Sequence, residues 1–254
     1  MDPTSPIVLS LRGVTKRFGP LVANDAIDLD LRRGEILALL GENGAGKTTL
    51  MNILFGHYVA DAGSILVAQA DGALVPLPGG APHAALEAGI GMVHQHFALA
   101  ESLTVLENIV LGTRPLAAPS LGLRDARARL LALMRDSGLV VPLDQPVERL
   151  AVGERQRVEI LKVLYRGARI LVLDEPTAVL TPQEVERLFD VLRHLRRSGL
   201  GVIFISHKLR EVIALADRVA VLRGGRKVAE RPVAGTNRIE LASLMVGRTV
   251  PESR

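Results

Sequence analysis

No cysteine occurs in the 254 residues, so neither disulfide nor thiolate chemistry can be built from this chain, and a reducing compartment is permitted without being required. Aromatic residues make up only 3%, too few for the stacking platforms that hold single-stranded nucleic acid. The net charge of +4 is spread over arginine-rich segments and builds no nucleic-acid groove. No uncharged apolar run reaches ~18 residues, and Met1-Asp-Pro-Thr-Ser-Pro6 has no basic region followed by an apolar one. Neither a membrane span nor a signal peptide is expected. What is there, 48% hydrophobic residues rich in Ala, Val and Leu, suits a soluble α/β protein of one large domain or two lobes.

The most informative stretch is Gly41-Glu-Asn-Gly-Ala-Gly-Lys-Thr-Thr49, which completes the pattern G-x-x-x-x-G-K-[ST]. Ile36-Leu-Ala-Leu-Leu40 before it reads as a buried strand and Leu50-Met-Asn-Ile-Leu54 after it as a helix, the context such a loop needs. It is a nucleotide site. Gly41, Gly44 and Gly46 are expected to take φ > 0 and allow close backbone approach to a polyphosphate, while N–H groups at the helix start supply positive potential. Lys47 would add a full charge at the β- and γ-phosphates, and Thr48 a hydroxyl for Mg²⁺. Glu42, Asn43, Ala45 and Thr49 complete the expected nucleotide-binding set.

Around this loop the period of the apolar residues changes twice. Ile7–Leu11 and Ala26–Leu31 alternate with turn signals and predict antiparallel strands, and 64–68 with 73–77 predict a hairpin about Asp71-Gly72. From about 100 the pattern is helical: Thr104 and Glu107 spell a capping box, and 124–136 is an amphipathic helix closed by Ser137-Gly138 whose arginines form a solvated face. After 165 strands and helices alternate: 170–173, 183–197, 201–205, 208–216 and 219–222. The fold class expected is α/β, interrupted by an all-helical insert at about 100–165.

A phosphate loop alone fits kinases, GTPases, helicases and transport ATPases, so other residues must decide. Ile170-Leu-Val-Leu-Asp-Glu175 is a buried strand ending in two acids; Asp174 could hold the Mg²⁺ shell and Glu175 polarise an attacking water. Such a pair can also be a helix cap. His207, ending the strand 202–206, could reach a γ-phosphate or simply cap the next helix. Gln95 in Met92-Val-His-Gln-His96 is a polar residue at a strand end and individually weak.

Taken in order and spacing, the loop 41–49, Gln95, Leu150-Ala-Val-Gly-Glu-Arg-Gln-Arg-Val-Glu-Ile160, Asp174-Glu-Pro-Thr177 and His207 resemble the ATP-binding cassette (ABC) ATPases over nearly the whole chain. The resemblance implies a P-loop NTPase core with an antiparallel β subdomain and an inserted helical subdomain. The cassette would span 7–248, with 1–99 and 166–248 as nucleotide-binding core and 100–165 as the helical signature region. It further implies ATP and Mg²⁺ as cofactors, Glu175, His207 and Gln95 as catalytic residues, and Thr48, Gln95 and Asp174 near the metal. Phe18 would stack on adenine, its alternative being a core phenylalanine. Ala151, Gly153 and Glu154, at the start of the signature helix, would face nucleotide held by a second cassette. Transmembrane permease subunits and, indirectly, an extracytoplasmic solute-binding protein would be the other partners, with no nucleic acid, at the cytoplasmic face of the membrane.

Finer similarity lies in Gly91-Met-Val-His-Gln-His-Phe97, Leu103-Thr-Val-Leu-Glu-Asn-Ile109, Arg155–Lys162, Pro176–Glu184 and Leu244-Met-Val-Gly-Arg248, which resemble the first cassette of simple-sugar and nucleoside importers. The quartet His94–Phe97 points to the nucleoside branch. Such ATPases usually fuse two cassettes, so this chain resembles half of one. Two positions depart from the wider family. Ala151 stands where a serine hydroxyl would bond the γ-phosphate, and Thr181 where many members carry aspartate. The first leaves open a clamp that dimerises on ATP with weak hydrolysis, beside a nucleoside or ribose/galactose-type importer ATPase. A soluble ABC ATPase acting on nucleic acid or ribosomes would want a coiled-coil or zinc insertion or a long basic linker, and none is present.

Overall fold

Alternating burial in β1 (Ile7–Phe18) and β2 (Leu21–Arg32) makes the first hairpin: Leu9, Leu11, Ile27, Leu29 and Leu31 are buried, while Asp28 and Asp30 point away from the core. The computed structural model describes residues 5–95, 97–113 and 122–247; His96 and Arg248, both named above, lie outside them. After β3 (Ile36–Leu40) and α1 (Lys47–Leu54), β4 (Ala62–Ala68) and β5 (Leu74–Pro76) complete an antiparallel sheet in the order β2-β1-β4-β5. Then follow α2 (Pro82–Glu87), β6 (Ile90–Val93), α3 (Val105–Val110), α4 (Leu123–Ser137) and α5 (Val152–Tyr165). The chain closes with β7 (Ile170–Asp174), α6 (Pro182–Arg197), β8 (Gly201–Ser206), α7 (Leu209–Leu215), β9 (Arg218–Arg223), β10 (Arg226–Pro232) and α8 (Arg238–Val246). The second sheet runs β10-β9-β3-β8-β7-β6, parallel except for the antiparallel edge strand β10.

The central strands are apolar throughout because both their faces are covered. Leu37, Leu39, Val172, Ile203 and Ile205 pack with α1 and the antiparallel sheet. Their neighbours Leu171, Leu173, Val202 and Phe204 face the helices of the other side, where Phe189 of α6 meets Phe204 edge to face at 6.0 Å. Ala38 and Leu40 lie under α7 and α8. α1 is too short to hold itself in water, so its burial of Leu50, Met51 and Leu54 fixes it.

The Thr104–Glu107 capping box and the helix closed at Gly138 are present as read from the sequence. The insert is not all helical: an irregular segment with a 3-10 turn at Val147–Arg149 joins α4 to α5, and Thr104 bridges to Pro146. α2, β10 and α8 were not expected. The first is very short, and β10 alternates exposed and half-buried charges that read as loop.

At the foot of β3, Glu35 is fully buried and accepts bonds from Arg218 Nε (2.7 Å), Arg218 Nη2 (3.1 Å) and the Arg32 N–H (2.7 Å). Removing one partner of a buried pair strands a charge. Arg218→Ala should therefore lower the unfolding free energy by about 3–5 kcal/mol in urea titration. A loss below about 1 kcal/mol, the scale of an exposed pair, would mean that water reaches Glu35.

Candidate nucleotide site

Register places the parts of the site along one edge. Leu40 of β3 pairs with Ser206 of β8, Asp174 of β7 with Ile205, and Val93 of β6 with Leu173. Gly41, His207, Glu175, His94 and Gln95 therefore all leave the parallel sheet at its C-terminal side, where open α/β sheets bind ligands.

The phosphate loop is held from behind. Gly46, with φ +100°, is the residue before α1, and a Cβ there would stand 2.4 Å from Ala23 O and 2.7 Å from Asn24 Nδ2. Only glycine fits. Asn24, fully buried on β2, donates from Nδ2 to Gly46 O (3.1 Å), and the Gly225 N–H donates to Ala45 O (3.2 Å). On its other side the loop is open: Gly44 has φ +82° with nothing within 4 Å of a Cβ position, and Glu42, Asn43 and Thr48 are exposed. No side chain caps α1, so its first N–H groups are free for an anion.

Lys47 is buried, and its Nζ folds onto Gly41 O (2.7 Å) and Glu42 O (2.9 Å). Burial lowers its pKa, while the charges of Glu175 and Asp174 act in the opposite sense. Asp174 is pushed above the usual carboxylate range by burial and then by Glu175, with His94 and Lys47 pulling it back. Two acids and one lysine thus share a partly dehydrated edge. Among the described residues no cluster of three or more His, Cys, Asp or Glu could close around a metal alone. A Thr48 hydroxyl and the Asp174 carboxylate fit Mg²⁺, a hard ion that takes few protein oxygens and completes its shell with phosphate and water.

Glu175 is the one acidic residue among those described with positive φ (+45°), a conformation that costs about 1–3 kcal/mol outside glycine. It is over-determined there. Its N–H donates to Ile205 O (3.0 Å), and Oε1 lies 2.8 Å from His207 Nδ1. With Nδ1 protonated, the imidazole donates to the carboxylate. Gln95 is exposed two residues beyond β6. Phe18 is 42% exposed at the tip of the first hairpin, edge to face with Tyr58 (5.5 Å) and with Lys16 Nζ 5.5 Å from its ring, so the core alternative does not hold.

Ala151, Gly153 and Glu154 are elsewhere, at the start of α5, and among the described residues no hydrogen bond or ion pair joins them to the phosphate loop. The Ala151 N–H donates to Glu154 Oε2 (3.0 Å), half of a capping box whose other half needs the missing hydroxyl. Gly153 is buried beneath Glu184: a Cβ on it would stand 2.6 Å from Glu184 Oε1. The Thr181 N–H and hydroxyl, and to a lesser degree the Gly153 N–H and Arg157, hold Glu184 below the usual carboxylate range. Thr181, the second departure, thus serves as the cap of α6.

With the geometry in place, the comparisons decide the family. Residues 24–178 match the family described as ABC transporter. The chain belongs to that family. This ABC transporter chain is 48% identical over 243 residues to the nucleoside import ATP-binding protein NupA of Lactococcus lactis subsp. cremoris, covering 96% of this chain and 47% of that protein. It is 46% identical over 248 residues to the ribose import ATP-binding protein RbsA of Hahella chejuensis, covering 97% and 48%. It spans about half the length of these curated relatives. Among solved structures, cbiO1 of Clostridium perfringens, part of the ABC transporter complex cbiONQ, superposes with TM-score 0.78 at 26% identity, covering 91% of this chain and 90% of that one. The fold is the ABC cassette form of the P-loop NTPases.

Several residues that shape the site escaped sequence reasoning. Asn24 sits beside Asp25 in a strand that also carries Asp28 and Asp30, so nothing in the sequence marked it as the buried polar residue of β2. Gln156, buried on α5, donates to Pro176 O (2.7 Å) directly after the acids, and Lys208 and Glu211 show only as an i,i+3 pair whose third member is 34 residues away from Glu211.

Proposed function

We propose that the chain is the ATP-binding and ATP-hydrolysing cassette of an importer, with nucleosides as the cargo class. The observation that carries this is the Glu175–His207 contact at the same sheet edge as the uncapped phosphate loop. Polyphosphate would displace Lys47 Nζ from the two loop carbonyls and take its charge, with the free N–H groups of α1 beneath it. Thr48 and Asp174, with Gln95, would hold Mg²⁺, which would supply neutralisation of the phosphate charge. Glu175 orients a water and takes its proton as the water oxygen bonds the γ-phosphorus. The β,γ-bridging bond breaks, and ADP and inorganic phosphate leave. His207 holds Glu175 in place through Nδ1–H and, with both ring nitrogens protonated, donates Nε2–H to the γ-phosphate. Phe18 provides an exposed ring for the adenine.

The helical region 100–165 carries the start of α5, where Ala151, Gly153 and Glu154 would meet nucleotide on a second cassette, fused, homodimeric or separate. Permease subunits at the cytoplasmic membrane face and an extracytoplasmic binding protein complete the assembly. Similarity to a nucleoside import protein supports nucleosides, and similarity to a ribose import protein keeps simple sugars as the second reading. Phosphate release from Mg-ATP by the purified chain tests the ATPase. If neither release nor nucleotide binding occurs, the reading fails. Uptake of labelled uridine against labelled ribose, in cells carrying the chain with its permease, decides the cargo.

Ala151 favours weak hydrolysis in the isolated cassette, because a homodimer would have no signature hydroxyl at either site. Hydrogen bonds to charged groups are worth about 1.5–3 kcal/mol. Ala151→Ser should raise turnover several-fold and leave affinity nearly constant, since the cassettes meet across the phosphate only when closed. Unchanged turnover in a folded, ATP-binding variant would show that the alanine is silent.

A further inference from the structure

We propose that Glu211, on α7, is a positioning residue that locks the loop after Glu175 to the turn that carries His207. This rests on the hydrolytic reading of those two residues and names what keeps them in one geometry.

Three side chains meet on the Glu211 carboxylate. The Thr177 hydroxyl donates to Glu211 Oε2 at 2.6 Å, and the Ser206 hydroxyl to the same oxygen at 3.3 Å. Lys208 Nζ lies 3.1 Å from Glu211 Oε1, and it also donates to Thr177 O (3.0 Å) and Thr177 Oγ1 (3.2 Å). The Lys208 N–H donates in turn to Ser206 Oγ (3.0 Å). Thr177 and Ser206 are each 2% exposed, and the Glu211 side chain 12%. The two hydroxyls are buried while the Lys208 side chain, 39% exposed, closes the cluster from the solvent side, and its charge is matched by Glu211.

What it joins gives it a role. Ser206 and Lys208 flank His207 on both sides, and Thr177 stands two residues after Glu175. Glu211 itself contacts neither of the two, so its influence passes through the backbone on either side of them. That backbone needs holding, because Glu175 stays at φ +45° only while its surroundings enforce it. From α5, Gln156 Nε2 donates to Pro176 O at 2.7 Å, so the loop is held at two consecutive residues by two different helices. A general base displaced by about 1 Å can lose about 100-fold in rate without any change in substrate binding. Glu211 also sits in the first turn of α7, where a carboxylate favours the helix start. That contribution needs neither Thr177 nor Lys208, which separates the two roles experimentally.

The test compares wild type with Glu211→Gln, Thr177→Val and Thr177→Ser. Thr177→Val keeps the shape and removes the hydroxyl; Thr177→Ser puts it back. Turnover at saturating Mg-ATP should fall at least about tenfold in Glu211→Gln and Thr177→Val, with KM within about twofold of wild type, and should return in Thr177→Ser. Amide hydrogen exchange of 175–179 and 206–208 should quicken in the first two variants, with α1 unchanged. Wild-type kinetics and exchange in Thr177→Val would overturn the proposal, as would equal losses in Thr177→Val and Thr177→Ser. If the wild-type chain hydrolyses no ATP, the ATPase reading fails by itself. The clamp then stands or falls on exchange alone, and unchanged rates at 175–179 in Thr177→Val reject it.

Discussion

Lys47→Ala should weaken Mg-ATP binding about 100-fold, the factor expected when a charge-assisted contact of about 3 kcal/mol is removed. The ammonium is buried at the loop, within the electrostatic reach of Glu175 and Asp174. Without it, polyphosphate would meet two carboxylates across the loop with only backbone donors in between. Gly41 O and Glu42 O also lose their donor in the free protein, so the loop itself could rearrange. Lys47→Met, which keeps the stem, separates that effect from the loss of charge. Titration by calorimetry, with thermal melting to show an intact fold, reads both variants. Affinity within about threefold of wild type in both would remove this loop as the phosphate site, since an ordinary hydrogen bond alone is worth about that much.

Glu175→Gln should leave Mg-ATP bound and turnover reduced by about 10²–10⁴-fold, the range a positioned general base supplies. The amide keeps the shape of the carboxylate and an acceptor for His207 Nδ1. It cannot take a proton. Trapped nucleotide should then hold cassettes together, read as a larger species by light scattering with ATP but not with ADP. Equal turnover in the two proteins would end the general-base assignment. A variant that neither binds nor turns over would show instead that Glu175 supports the loop around it.

The residues assigned to chemistry sit where strand, loop and helix change over, and such boundaries are local. The phosphate loop could be read from a stretch of fewer than ten residues, whereas Asp174, at the last position of β7, and His207, just beyond β8, kept a capping alternative until the family resemblance was added. The sheet register that assembles them is long-range, yet it follows once the strands are apolar on both faces and parallel. What stayed hidden pairs residues far apart in the chain: Asn24 with Gly46, Gln156 with Pro176, Glu211 with Thr177. A buried glutamine on an amphipathic helix looks like any other polar residue until its partner is known. Phe18 was ambiguous for a different reason. An exposed aromatic at a hairpin tip and a core aromatic share the same strand propensity.

In the first turns of α5, Gly153 packs against Glu184 and Gln156 is tied to Pro176. A single tether would let the helix swivel about its point of attachment. Two attachments, the packing of Gly153 against Glu184 of α6 and the bond from Gln156 to Pro176 just before it, oppose such a swivel between the start of α5 and the segment 176–184.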